Sequence, residues 1–443
     1  MLVYPNITKK YNEITKDSYI VLIPEVIKAL MKINGKIHFT ILTPIYLNEL
    51  GESSSIEQRI YNERFSNNNN TMRTSFFFDA GIFMDALDYQ RNDYDIIYSH
   101  LPEHTLQLSN LIQNQTHSVP KIFGYCHWFE LGNKSVKKML LQNYVGMLEM
   151  EKCGVNSQWL KDNVMKDAKK YFNDKTLKKL DEIIQPHHLG IDDYDFTPVK
   201  HKGKKTIIYN YRGQAYMGWK PFQLAMDKLW KKRKDFRVVT FQKDANAEQY
   251  EWAENEPPKN FPNRNDYLNY MKENGYIGVG WFEGRSGGMS WSICVTDGLS
   301  KGVPFVLPDN GVYPQMVGED YPLLYKNRNQ DSFIETIESA LDKPKLYKKT
   351  QKHLESVVKK MKWLTAVKTW MDWKSFFNPE SFPMVSETDR YKQFVNEIKK
   401  AGRIDKVQLV KNWGVQFKFG KYRNRLRLDK RIKFTKNHYE WIG

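Results

Sequence analysis

The residues from Tyr276 to Gly311 read YIGVGWFEGRSGGMSWSICVTDGLSKGVPFVLPDNG, and their glycine-rich middle is suited to holding an anion. In Glu283-Gly284-Arg285-Ser286-Gly287-Gly288 the glycines let backbone N–H groups approach a phosphate or sugar closely. A helix that starts just after them adds the positive end of its dipole. A second candidate is His127, in Lys121-Ile-Phe-Gly-Tyr-Cys-His127-Trp-Phe-Glu130. There an apolar strand ends in a polar cluster, which places His127 at the strand's carboxyl end facing a cleft, with Glu130 as the alternative acid. The adjacent His187 and His188 are poor partners for one metal, because neighbours on an extended segment point to opposite faces. Asp93-Tyr-Asp95 and Asp193-Tyr-Asp195 have a metal-holding D-x-D spacing, but matches this short arise by chance and both lie at element edges. No catalytic metal and no cofactor are expected.

The elements that must position these groups alternate. Tyr276–Val279 is a short buried strand, a helix of about three turns begins near Ser290, and Val303–Leu307 is a second buried strand. Ile293, Val295 and Leu299 give the helix its apolar sides, and Gly302 ends it. Strand, glycine loop, helix and strand form a βαβ unit, whose ligands bind beyond the carboxyl ends of the strands. Upstream, Ile37–Leu42, Ser75–Phe78, Ile96–Ser99 and Ile122–Tyr125 are candidate strands with helices between them. Asp17 to Lys32 is ambiguous, because Pro24 belongs in a first helical turn or before it. Thr206–Asn210 and Phe236–Phe241 are further strands, with helices ending at Leu229 and spanning Asn265–Glu273. Alternation of this kind predicts α/β architecture with doubly wound parallel sheets.

Asp297-Gly-Leu-Ser-Lys-Gly302-Val-Pro304-Phe-Val306 resembles the E-A-M-A-x-G-x-P-V-V signature of the large retaining GT-B glycosyltransferase family, family four. Asn156-Ser157-Gln-Trp-Leu-Lys161, Pro186-His-His-Leu-Gly190-Ile191-Asp192 with Phe196-Thr-Pro198, and Asp309-Asn-Gly311-Val-Tyr-Pro314-Gln315 resemble further blocks in family order. The resemblance implies two Rossmann-like domains facing a cleft, and transfer of a sugar from a nucleotide-diphosphate sugar, UDP-sugar first, with retention. It implies that Arg212 and Lys220 clamp the donor diphosphate, a planar fork and a point charge where the leaving group gains negative charge. It assigns the ribose hydroxyls to Asp297, and the sugar or acceptor to His127 or Glu130. Gly287, Gly288, Met289 and Ser290 would line the donor site, with Met289 standing where the family has its first Glu. Glu283 and Arg285 are the loop residues that can take over that contact. A non-catalytic sugar-nucleotide-binding protein on the same scaffold is the rival class.

The chain has 443 residues, 41% of them hydrophobic, and a net charge of +17. It is a globular composition with no apolar run of membrane-spanning length and no secretory leader, so a soluble cytoplasmic protein is expected. Cys126, Cys153 and Cys294 show no C-x-x-C spacing. The charge is local: from Lys399 to Gly443 there are 14 lysines and arginines against three acids, a net +11. Val415–Phe419 and Arg425–Leu428 alternate in period two, a β-hairpin pattern with one apolar and one basic face. Lys418, Arg425, Arg427, Lys430, Arg431 and Lys433, interleaved with aromatics, are the candidate phosphate contacts for double-stranded DNA. The expected layout is an acceptor domain over 1–198, a nucleotide-sugar domain over 199–362, a cross-over helix over 363–379 and a basic appendage over 380–443. The expected acceptor is a hydroxylated base in DNA, as in viral enzymes of this general fold that modify DNA. A cell-surface polysaccharide or teichoic-acid-type acceptor is the alternative.

Overall fold

Two all-parallel sheets carry the chain, each with its helices on both faces. The structure, a computed structural model, describes residues 1–5, 7, 18–60, 80–87, 94–116, 120–126, 129, 137–191, 194–201, 203–211, 218–241, 249–254, 261, 263–280, 291–371, 395–405, 429, 431–435 and 438–442. The first sheet and its helices run β1 (Leu2–Tyr4), α1 (Ser18–Ile33), β2 (Phe39–Thr43), β3 (Ile56–Ile60), α2 (Ala80–Ala86), β4 (Ile96–Ser99), α3 (Pro102–Thr116), β5 (Lys121–Cys126), α4 (Lys137–Leu148), β6 (Lys152–Val155), α5 (Gln158–Ala168), α6 (Asp174–Ile183) and β7 (Ile184–Pro186). The second runs β8 (Lys205–Tyr209), α7 (Trp219–Lys232), β9 (Phe236–Thr240), β10 (Ala253–Glu254), α8 (Arg264–Asn274), β11 (Ile277–Val279), α9 (Ile293–Ser300), β12 (Phe305–Pro308), α10 (Tyr313–Val317), β13 (Leu324–Tyr325), α11 (Gln330–Asp342) and α12 (Pro344–Val358). Then come α13 (Trp363–Met371), β14 (Arg403–Asp405), β15 (Ile432–Phe434) and β16 (His438–Trp441).

The strand orders are β3-β2-β1-β4-β5-β6-β7 and β10-β9-β8-β11-β12-β13. Each reverses direction once, between β1 and β4 in the first sheet and between β8 and β11 in the second. Those two switch points are where such sheets open a crevice for ligands. The strand β1 was not foreseen, and it is central: Leu2, Val3 and Tyr4 are all buried between β2 and β4. β3 was likewise not foreseen, and the expected strand at Ser75–Phe78 lies outside the described residues.

The ambiguous segment with Pro24 is helical throughout, from Ser18 to Ile33. An interior proline costs about 3 kcal/mol through its missing N–H and its ring clash. Ile20, Leu22, Ile23, Val26, Ile27 and Leu30 are all buried on this helix. At about 1.5–3 kcal/mol for each buried aliphatic side chain, tertiary burial outweighs the proline.

The central βαβ unit is closed by one ring. A Cβ on Gly278 would lie 2.3 Å from Phe305, and one on Gly298 2.1 Å from it, so β11 and α9 both give up a side chain to make its slot. The two sheets share an apolar core that reaches from Ile23 and Phe39 through Leu189, Ile191 and Trp363 to Val238 and Phe305. The connection between them is tied down on both sides. Ile191 N–H donates to Met361 O at 2.6 Å, Asp195 N–H donates to Ser300 O at 2.7 Å, and Lys272 forms an ion pair with Asp195. α13 returns across this seam to pack against α1, and a Cβ at Gly190 would meet Trp363 Cα at 2.4 Å.

The described part of the tail forms a small antiparallel sheet, in the order β14-β16-β15. Its register puts Arg403, Glu440 and Lys433 side by side, with Asp405 opposite His438 on the same face. Two positive and two negative charges therefore balance on that face. Arg431 is held by Asp429 at 2.9 and 2.8 Å and lies over the Trp441 ring. Lys418, Arg425, Arg427 and Lys430, with the expected hairpin, lie outside the described residues. Among the described residues no helix is long and apolar enough to cross a membrane.

Candidate functional site

The second sheet's switch point is lined by side chains that lock three elements together. Asn210 and Tyr211 follow β8, and Gly280 follows β11. The Asn210 Nδ2 donates to the Cys294 carbonyl at 2.6 Å and to the Tyr267 hydroxyl at 3.0 Å, joining β8 to α9 and α8. The Tyr211 hydroxyl lies 2.8 Å from Ser292 Oγ and 3.0 Å from the Tyr313 hydroxyl. Ser292 in turn caps α9 by accepting from Val295 N–H at 3.3 Å, and this is why the helix starts at Ile293, later than its apolar pattern suggests. Burial pushes the Tyr211 and Tyr267 hydroxyls well above their usual range, so both stay protonated as donors.

Asp297 sits one turn into α9 with its side chain 6% exposed, in a two-point contact with Arg264 of α8. The Nη1–Oδ2 distance is 3.3 Å, and Nη2 closes on Oδ1. Burial pushes the Asp297 carboxyl above the usual carboxylate range, while Arg264 and a hydrogen bond from Tyr267 pull it down. Arg264 remains firmly protonated beside it. Trp291 stacks on His188 at 5.5 Å, joining the start of α9 to the chain leaving the first sheet. Trp159 N–H, in the first turn of α5, donates to Gln315 Oε1 at 3.2 Å across the same cleft.

No family model matches the sequence, and no curated protein matches it either. Solved structures do. The chain is similar to the sucrose-phosphate synthase of Thermosynechococcus elongatus, with a TM-score of 0.61 at 10% identity over 84% of this chain and 98% of that one. It is similar to a glycosyltransferase from Rickettsia africae, with a TM-score of 0.58 at 14% identity over 84% and 97%. It is also similar to Anabaena HepE in complex with UDP and glucose, with a TM-score of 0.60 at 10% identity over 85% and 99%. The fold is GT-B. At these identities the likeness is one of fold.

Within this GT-B frame, Lys220 lies exposed in the first turn of α7, the helix that follows β8. Arg212, Glu283, Arg285, Gly287, Gly288, Met289 and Ser290 lie outside the described residues. In the sequence they fall between Tyr211 and Gly218 and between Gly280 and Trp291. His127 and Glu130 lie outside as well, between or beside the buried Cys126 and Phe129. Asp297 is in place but already engaged, and Arg264 was missed. Nothing in the sequence marks it: it stands 33 residues upstream at the solvent-facing start of a polar helix.

The first sheet's switch point holds a second polar cluster that went unread. His100 follows β4, fully buried, with its ring 4.7 Å from Tyr98 and 6.0 Å from Tyr125. Glu103 and His104 follow in α3, also buried, and His104 Nδ1 lies 3.0 Å from the Tyr4 hydroxyl. A buried His-x-x-Glu-His at a strand end was the available signal. Among the described residues no group of three or more His, Cys, Asp or Glu side chains is placed to hold a metal ion. His187 is held neutral, its value pushed down to about 4 by burial and by His188, while His188 Nδ1 bonds Leu189 O at 3.0 Å.

Proposed function

We propose that this protein transfers a sugar from a nucleoside-diphosphate sugar, a UDP-sugar foremost, with retention at the sugar carbon. The observation that supports the reading is the second switch point, where Lys220 in the first turn of α7 and the start of α9 follow the carboxyl ends of β8 and β11. In this reading the bond between the sugar carbon and the diphosphate oxygen breaks with its electron pair on the phosphate. Arg212, Lys220 and the backbone N–H groups of Gly287 and Gly288 hold that charge. The acceptor hydroxyl forms the new bond to the sugar carbon and passes its proton to the departing phosphate oxygen, with His127 or Glu130 positioning it. Lys220→Ala should cost about 2–4 kcal/mol of transition-state stabilisation, a fall in kcat/KM of about 30- to 900-fold. Hydrolysis of UDP-, GDP- and ADP-sugars without acceptor tests this, and a wild-type protein that binds but never turns over a donor would be the non-catalytic rival.

For the acceptor, the +11 of residues 399–443 supports a hydroxylated base in duplex DNA, gripped by its phosphates while the base is presented to the cleft. The balanced charges of Arg403, Asp405, Lys433 and Glu440 favour the second reading, a surface polysaccharide or teichoic-acid-type acceptor. Labelled donor offered with hydroxymethylated duplex, plain duplex and a polysaccharide extract separates them. A DNA enzyme labels the modified duplex, and its affinity for DNA falls with salt at a log–log slope of about −0.9 per phosphate contacted. Label confined to the extract would refute the DNA acceptor.

A further inference from the structure

The bond from Trp159 to Gln315 crosses the cleft outside the segment that connects the two sheets, and each of its ends is mounted on an element held from within its own unit. On the first sheet's side, Ser157 caps α5: its Oγ accepts from Leu160 N–H at 3.1 Å, and its carbonyl accepts from Lys161 N–H at 3.1 Å. The inner donors of that helix start are therefore satisfied at home. The Trp159 N–H is a first-turn group that no carbonyl of its own helix can reach, and the other unit supplies its acceptor. On the second sheet's side, α10 is fixed at both ends. The Tyr313 hydroxyl lies 3.0 Å from that of Tyr211, and His353 Nε2 bonds the Val317 carbonyl at 2.6 Å. Tyr313, Met316 and Val317 are buried, and Gln315 alone of the α10 residues is exposed. Breaking the bond takes nothing from the packing of either unit, because water can replace each partner.

We propose that Gln315 is a latch on the cleft. It holds the start of α5 against α10 while the cleft is shut, and it lets go when the two units swing apart about their connection. The connection is built to survive that motion, because Asp195 stays with the second unit through Ser300 and Lys272, and Ile191 stays paired with Met361. A neutral amide carbonyl on a solvent-reachable helix start is a weak tie, and it shifts a two-state balance by about two- to tenfold. A carboxylate in its place would face the positive end of the α5 dipole and accept a charge-assisted bond, a stronger tie. Glutamine therefore leaves the closed form favoured yet escapable, so that a ligand between the units can tip the balance. The proposal holds whichever sugar nucleotide the cleft takes, and it stands or falls separately from the donor-site reading.

The test reads the distance between the units in the full chain without ligand. Spin labels go on Tyr46→Cys in the first unit and Leu224→Cys in the second, both exposed positions. Cys126 and Cys153 are buried, and Cys294→Ser removes the half-buried thiol while keeping the carbonyl that Asn210 bonds. Double electron–electron resonance should resolve a short and a long separation. Gln315→Ala should raise the ratio of long to short by about two- to tenfold. Gln315→Glu should lower it, and salt at about 0.5 M should cancel most of that gain. Tm should stay within about 2 °C of wild type in both variants, because neither unit loses internal packing. A ratio that is the same in all three proteins, or that moves the same way in both variants, overturns the latch. A larger fall in Tm would make Gln315 a contact of the fold, and that overturns it too.

Discussion

Arg264→Ala isolates the cost of one buried carboxylate. It leaves Asp297, 6% exposed, without its cation and with Tyr267 as its remaining donor. Removing one partner of a buried pair costs about 3–5 kcal/mol, and the retained Tyr267 bond places this case near ~3 kcal/mol. For a unit the size of Lys205–Val358, where 1 kcal/mol moves Tm by about 2–4 °C, the expected fall is about 6–12 °C at pH 7.5. The pH dependence has a definite sign. Burial already raises the Asp297 carboxyl, and losing Arg264 raises it further. A carboxyl raised in the folded state contributes full stability below its unfolded value of about 3.9 and loses it as pH rises through the folded value. The deficit should therefore be smaller at pH 4.5 than at pH 7.5. Differential scanning fluorimetry of wild type, Arg264→Ala and the charge-free pair Arg264→Met with Asp297→Asn reads all of this, and the double variant should recover most of the loss. An Arg264→Ala protein melting within about 2 °C of wild type at pH 7.5, or a deficit that does not shrink on acidification, would refute the reasoning.

Gly298→Ala places a methyl group 2.1 Å from the Phe305 ring and should destabilise by about 1–3 kcal/mol in chemical denaturation. Adding Phe305→Leu should return part of that; a double variant no better than the single one would contradict the slot. Gly190→Ala drives a methyl into Trp363 Cα at 2.4 Å and should loosen the seam between the sheets, measured as faster amide exchange in α13 and α1. His187 should stay neutral down to about pH 4. Because its folded value is lowered, its share of stability is present above the unfolded value of about 6.5 and fades as pH falls through 4. An NMR titration midpoint near 6.5 would count against its burial.

The sequence by itself determined the local units. Strand–loop–helix–strand from Tyr276 to Leu307 was legible because glycines, apolar periodicity and stop signals act within a few residues of one another. The same holds for β4, β5, β8, β9, α7, α8 and α13, and for Lys220 at a helix start after a strand end. What the sequence could not carry was anything decided by partners far apart in the chain. Leu2–Tyr4 is too short to show a period, and only its place between β2 and β4 makes it a central strand. Pro24 sits inside a helix because the surrounding core outweighs a local rule. The slot that Gly278 and Gly298 clear for Phe305 exists only once β11, α9 and β12 are stacked. Asp297 was singled out by its resemblance to a family signature, but its engagement by Arg264 was not foreseen, since an ion pair between two helices leaves no trace in the spacing of either. The tail shows the same limit: its charge was counted correctly, while the pairing of Arg403 and Lys433 with Glu440 depends on strand register. Local chemistry is written residue by residue, and the environment that decides what a charged group can do is set only when distant segments are packed against it.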